Sequence, residues 1–281
     1  MNSSKLSAYG LSVTLLWETI PPKHHSIYMC TEDEFYLNIP KVARFLVLAL
    51  ENKIIIEKAS DNVPYEAIQT YLHGTILSYL LQRNHYLVLH GAAVLVHGKA
   101  VLISGQSGAG KSTAAAQLFN LGYPILADDM LVLNKNCQQT WEILPGPRHV
   151  KLWQDALGNL AFADCDLSII ISKGNNVKYK CSLPSSSSYA VPIASFYELV
   201  QQDTLTHISQ YELHHQEKLK VLLNNSYRYF MLKALNRLEK NLKNCVTLAQ
   251  QITMKRIIRK KQANTFKELT AKLHKEFIVE S

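Results

Sequence analysis

Apolar and polar positions change rhythm several times along this chain, and the changes divide it. Over residues 1–62 the short apolar runs LSVTLLW, FYLNI, FLVLAL and KIIIEK are separated by polar breaks, which predicts a small β-rich N-terminal subdomain. From Pro64 to Asn84 the period lengthens. Ile68, Leu72, Ile76, Leu80 and Leu81 recur at three- and four-residue steps, the pattern of an amphipathic helix. Four extended runs follow: YLVLH, AAVLVH, KAVLISG and, beyond one helix, PILADDMLVLN. The expected order is strand, strand, strand, glycine-rich loop, helix, strand, in a core over 63–190. The stretch SLPSSSSYAVP at 182–192 reads as an exposed loop at its end. Within 191–281, HHQEKLKVLLNN and YRYFMLKALNRLEKNLKNCVTLAQQI read as helices, ITMKRII as a strand and TFKELTAKLHKEF as a closing helix packed on the core. The fold class expected is α/β.

Composition changes this picture little. With 281 residues, 47% hydrophobic and 19% charged, the chain can bury a sizeable core and is not a disordered or low-complexity segment. No apolar run approaches the roughly 18 residues of a membrane span, so no membrane partner is expected. The five cysteines are scattered and never spaced as CxxC, which reads as neither a disulfide framework nor a zinc site and points to a cytoplasmic protein. The net charge of +8 fits an anionic partner, and nucleotide satisfies it as well as nucleic acid. Much of the excess sits in KALNRLEKNLKN and MKRIIRKK, which read as solvated basic faces. There is no RNA-binding motif and no interleaved aromatic and basic stripe, so no nucleic-acid partner is expected.

The chemistry is concentrated in Gly105-Gln106-Ser107-Gly108-Ala109-Gly110-Lys111-Ser112-Thr113, a complete GxxxxGK[ST] between the strand-forming KAVLIS and the helix-forming TAAAQLF. Glycines at 105, 108 and 110 allow positive φ, so that successive amides and the helix N-terminus form an anion nest for nucleotide phosphates. Lys111 adds a mobile charge for the β- and γ-phosphates, and the Ser112 hydroxyl suits Mg²⁺. ATP and Mg²⁺ are the cofactors this predicts. The adjacent Asp128 and Asp129 lie within the very next strand. Neighbouring carboxylates on an extended segment face opposite ways, so only one can meet the phosphate directly unless the strand bulges. One carboxylate near the attacking hydroxyl and the other toward metal or a basic residue is the natural division.

The stretch from Leu89 to Leu133 resembles the kinase core of the HPr kinase/phosphorylase family: His90-Gly91 on one strand, the phosphate loop, a short helix closing on a glycine, then Ala127-Asp128-Asp129. The resemblance implies a fold related to phosphoenolpyruvate carboxykinases and phosphorylation of a serine hydroxyl by Mg²⁺ and ATP. It implies Asp128 as the base, Asp129 in the metal and substrate network, and His90 near the transferring phosphate. HPr kinases are hexameric, which leaves a homo-oligomer open.

The downstream Arg- and Gly-rich signature of those enzymes is absent. In its place stands Pro145-Gly146-Pro147-Arg148-His149-Val150-Lys151-Leu152-Trp153, similar to a segment of HPr-kinase-like enzymes that tailor peptides, including kinases of lasso peptide precursors. Arg148 and Lys151 can neutralise phosphate charge or face water at a strand edge. Trp153 reads as core, and Lys178 and Lys180 as a solvated strand rather than a peptide groove. The expected partner is thus a peptide or small protein bearing a serine. A true HPr kinase/phosphorylase, an ATP-binding sensor without phosphotransfer and a nucleic-acid-linked ATPase are the competing functions.

Overall fold

The computed structural model describes residues 3–21, 27–146, 149–153, 167–173, 176–182, 189–202, 207–260 and 265–279. The helices among them are α1 (Tyr65–Tyr71), α2 (Leu77–Arg83), α3 (Lys111–Asn120), α4 (His215–Asn224), α5 (Tyr229–Ala234), α6 (Leu238–Gln251) and α7 (Thr265–Val279). None is long and apolar enough to cross a membrane. Two compact units divide this mixed α/β chain, Met1–Leu87 with Tyr227–Asn241, and Val88–Ser226 with Leu242–Ser281.

The first unit holds β1 (Ser3–Ala8), β2 (Leu11–Trp17), β3 (Tyr28–Cys30), β4 (Glu34–Ile39), β5 (Ala43–Leu48) and β6 (Lys53–Lys58), in the order β1-β2-β6-β5-β4-β3. Neighbours are antiparallel except for the parallel pair β2 and β6. The four apolar runs of the N-terminal region are all strands. The added edge strand β1 buries only Leu6, too weak a pattern to read from sequence. Helices α1 and α2 are continuous through a π turn at Leu72–Ile76. Their residues Ile68, Leu72, Ile76 and Leu80 pack with Phe35, Phe45, Val47 and Ile54. The helix expected to open the core thus packs on the N-terminal sheet, and the structural boundary falls at Leu87 rather than at residue 62.

The second unit contains β7 (Leu87–Val96), β8 (Lys99–Gly105), β9 (Ile125–Lys135), β10 (Trp141–Leu144), β11 (His149–Trp153), β12 (Leu167–Lys173), β13 (Asn176–Ser182), β14 (Val191–Gln201), β15 (Ser209–Glu212) and β16 (Thr253–Arg259). Its main sheet runs β10-β9-β7-β8-β14-β16-β15. A short pairing of β10 with β14, Glu142 to Pro192 and Ile143 to Val191, also closes five of these strands into a ring. Strands β11, β13 and β12 form a separate antiparallel sheet. The runs YLVLH and AAVLVH are one strand, β7, and not two. His90 and Gly91 pass through it without a turn. The segment read as one long helix from Tyr227 is interrupted, with Asn236 in the left-handed region (φ 52°) between α5 and α6.

Helices α3 and α7 cover one face of the main sheet. Ala114, Ala115, Ala116 and Leu118 of α3 and Leu269, Leu273 and Phe277 of α7 pack on Val94, Ile103, Leu199 and Ile257. The three alanines let α3 approach the strands closely, and each large apolar side chain buried here contributes about 1.5–3 kcal/mol. Docking of α7 is also polar: Glu276 accepts hydrogen bonds from Tyr197 Oη (2.8 Å), Lys255 Nζ (2.8 Å) and Gln210 Nε2. Burial alone would raise the pKa of Glu276, but these donors hold it below its ordinary value. Cys30, Cys137 and Cys245 are in no disulfide, whereas Cys181 on β13 is disulfide-bonded, a bond the cysteine spacing did not suggest.

Candidate functional site

Three strand ends and one helix N-terminus converge in the second unit. Strand β8 ends at Gly105 and α3 begins at Lys111, with Gly105, Gly108 and Gly110 at φ 140°, 84° and 96°. Positive φ at glycines ahead of a helix N-terminus is what an anion-binding loop requires. Gly105 has no room for a side chain, since a Cβ there would lie 2.3 Å from the Leu199 carbonyl oxygen. Lys111 is buried and its Nζ donates to the carbonyls of Gly105 (2.8 Å) and Gln106 (3.1 Å). Gln106 and Ser107 are exposed at the loop tip, and Thr113 is half-buried on the first turn of α3.

On α3 the Ser112 hydroxyl donates to Asp128 Oδ1 at 2.7 Å. Asp128 belongs to β9, whose next residue, Asp129, has φ 75°. A non-glycine residue in the left-handed region is uncommon and marks local strain. The strand is therefore irregular at the pair, the case in which both carboxylates can serve one site. Asp129 meets His90: the His90 Nδ1 lies 2.9 Å from the Asp129 carbonyl oxygen and 3.5 Å from its Oδ1. Both side chains remain about one third exposed, His90 at 36% and Asp129 at 30%, so they are open to a reactant.

Strand pairing brings His90 to this place. Ala92 of β7 pairs with Ile103 of β8, which sets His90, two residues back, beside the start of the loop. Gly91 is required next to it, because a Cβ would lie 2.6 Å from the Ile103 carbonyl oxygen and 2.7 Å from Leu131 Cδ1. Of the residues singled out from sequence, the structure thus brings together the loop 105–113, His90, Asp128 and Asp129. Arg148 lies outside the described residues, as does the Ser-rich segment 183–188. Lys151 and Trp153 lie on β11 and Lys178 and Lys180 on β13.

Sequence reasoning missed the residues behind the loop. Arg259, in the run read as a solvated basic face, is 1% exposed and donates to the Ala109 carbonyl through Nε (3.2 Å) and Nη2 (2.8 Å). Its guanidinium sits 3.9 Å above the Phe266 ring, and burial lowers its pKa. The solvated reading is corrected for its neighbours too, since Lys255 pairs with Glu276 and Arg256 with Glu198 at 2.8 and 2.6 Å. No local signal marks Arg259; what sets it apart is its place at the end of β16 beside the end of β14, and strand ends are where α/β sheets carry ligands.

The arrangement has the parts of a phosphate site with an adjoining acid-base group. A hard cation bound with phosphates needs only one or two protein oxygens, and Ser112 with Asp128 offers that donor set.

Residues 82–149 match the family model of the HPr Serine kinase C-terminal domain, so the segment carrying the loop, His90 and the aspartates is HPr-kinase-like. Among solved structures, the chain is similar to the HPr(Ser) kinase/phosphatase from Coxiella burnetii, with 9% identity and a TM-score of 0.36 over 69% of this chain and 97% of that one. No curated protein matches the chain.

Proposed function

We propose that this protein is an ATP-dependent kinase that transfers the γ-phosphoryl group to a serine hydroxyl of a peptide or small protein. The observation that carries this reading is the split use of the aspartate pair. Asp128 is bonded to the loop serine Ser112, while Asp129 faces His90 on the open side.

In this reading the loop amides, Lys111 and the α3 N-terminus hold the phosphates and fix the γ-phosphoryl in line with the acceptor. Ser112 and Asp128 would hold Mg²⁺, which when bound with ATP neutralises phosphate charge. Asp129 takes the proton of the serine hydroxyl as its oxygen bonds to phosphorus. The bond from phosphorus to the β-phosphate oxygen breaks, and ADP leaves. His90, whose Nδ1 donates to the Asp129 backbone carbonyl, holds the irregular backbone at Asp129 in place. These assignments exchange the roles that the family resemblance implies for Asp128 and Asp129. The exchange rests on the Ser112 bond, since a carboxylate engaged with the metal-side hydroxyl is a poor candidate for taking the acceptor proton.

The test is to incubate the purified chain with Mg²⁺ and γ-labelled ATP against peptides ending in serine and against HPr, reading transfer by intact mass. Label on a serine of the peptides supports the reading. Label on HPr alone would replace it with a regulatory kinase, and ATP binding without label on any acceptor would replace it with a sensor.

A further inference from the structure

The phosphate loop is held from behind by two side chains that belong to distant parts of the sequence. In an anion nest the N–H groups point inward, so the carbonyls point out and need donors of their own. Gly108 O accepts from Gln201 Nε2 at 3.1 Å, and Ala109 O accepts both Nε and Nη2 of Arg259. Gln201 and Arg259 are register partners at the ends of the parallel strands β14 and β16. The remaining bonds of Arg259 run from Nη1 to the Lys260 carbonyl and to Thr265 Oγ1, both at 3.1 Å. Phe266, under the guanidinium, also fills the space beside Gly110, where a Cβ would lie 2.2 Å from its Cε1.

Among the described residues no carboxylate pairs with Arg259. A buried cation is costly unless its surroundings compensate it, and an anion bound in the loop that Arg259 grips would do so. From these contacts we infer that Arg259, assisted by Gln201, is a positioning residue for nucleotide phosphates: it locks the loop in its binding shape and adds positive potential beneath it. The inference rests on the proposed reading of the loop as an ATP site. It makes the C-terminal strand and helix a working part of that site.

The test measures Mg²⁺-ATP and pyrophosphate binding by calorimetry on the full chain, with R259M, R259K and Q201A. Methionine keeps an unbranched apolar stem against Phe266 but removes every donor and the charge. R259M is expected to weaken ATP and pyrophosphate alike by about ten- to a hundred-fold, the effect of losing charged donors to a buried carbonyl. R259K should recover part of the loss, a rescue that a purely packing role would not give. Wild-type affinity in R259M, or R259K no better than R259M, overturns the inference. Should R259M fail to fold, Q201A decides: a loss of about three-fold supports it, and no loss overturns it. If the wild type itself binds ATP poorly, the ATP-site reading fails first and the inference falls with it.

Discussion

Gly110 offers a sharp test, because its conformation and its surroundings can be separated by experiment. It caps α3 with φ 96°, and a Cβ there would lie 2.2 and 2.4 Å from Phe266 Cε1 and Cζ and 3.0 Å from Arg259 Nη2. Left-handed backbone costs an L-residue about 1–2 kcal/mol. Carbon atoms rest about 3.5–4.0 Å apart, so the ring would have to withdraw by more than about 1 Å, which in a packed site costs about 1–3 kcal/mol. G110A should therefore lose about 2–5 kcal/mol. Gly122, just beyond the other end of α3, supplies the control: it has φ 91° and nothing within 4 Å of the place a methyl group would take, so G122A should lose only the strain, about 1–2 kcal/mol. Urea denaturation of both variants, with unchanged slope, reads the two numbers. Equal losses in G110A and G122A would refute the claim that Phe266 and Arg259 press on the loop. An undiminished G110A would refute the strain as well.

Other consequences are as direct. D129N should lower phosphoryl transfer by about two to four orders of magnitude while leaving ATP binding nearly intact, whereas D128N should raise the Mg²⁺ concentration required; the opposite pattern in transfer assays would restore Asp128 as base. Glu276 has a folded pKa held below its ordinary value, so its bonds stabilise the fold at neutral pH and that share is lost as pH falls from the ordinary carboxylate range, about 4.3, through the lower folded value. E276Q should accordingly flatten the acid limb of a stability-against-pH curve, and an unchanged limb would remove Glu276 from acid unfolding. Burial pushes the Cys245 thiol up to about 12, while Cys137 is exposed. A thiol reagent at pH 8 should label Cys137 first and leave Cys245 intact until unfolding, as peptide mapping would reveal.

The parts that could be read from sequence are those in which function and local conformation use the same residues. The glycine-rich loop 105–113, the candidate phosphate site, is such a case, because its glycines both permit positive φ and declare themselves in order, and the helix follows at once. His90 was legible only through Gly91, whose missing side chain is demanded by Ile103 and Leu131. The aspartates were found as a pair, but their separate contacts, Asp128 with Ser112 and Asp129 with His90, go with the φ of 75° at Asp129, which alternation along a strand does not foretell. Arg259 was hidden for a different reason. A run such as MKRIIRKK carries five charges against three apolar residues, and nothing local distinguishes the arginine that will be buried from the lysines beside it. Only the pairing of β14 with β16 decides that.

That pairing also explains why the far end of the chain bears on a motif near its middle. Strands β8, β14 and β16 are parallel, so their carboxyl ends lie side by side, with Leu199 opposite Gly105 and Gln201 opposite Arg259. The loop leaving β8 must then run across the ends of the other two strands, and its outward carbonyls meet whatever side chains those ends carry. Helix α7 begins six residues after the end of β16 and returns over α3, where Thr270 bonds both Gln117 Oε1 and the Phe266 carbonyl (2.5 and 2.8 Å). Phe266 is thereby fixed beneath Arg259, and Glu276 ties the other end of α7 to Tyr197 on β14 and Lys255 on β16. The shape of the loop is thus set on its inner side by three glycines within six residues of sequence. On its outer side it is set by a strand and a helix that reach it only through the fold.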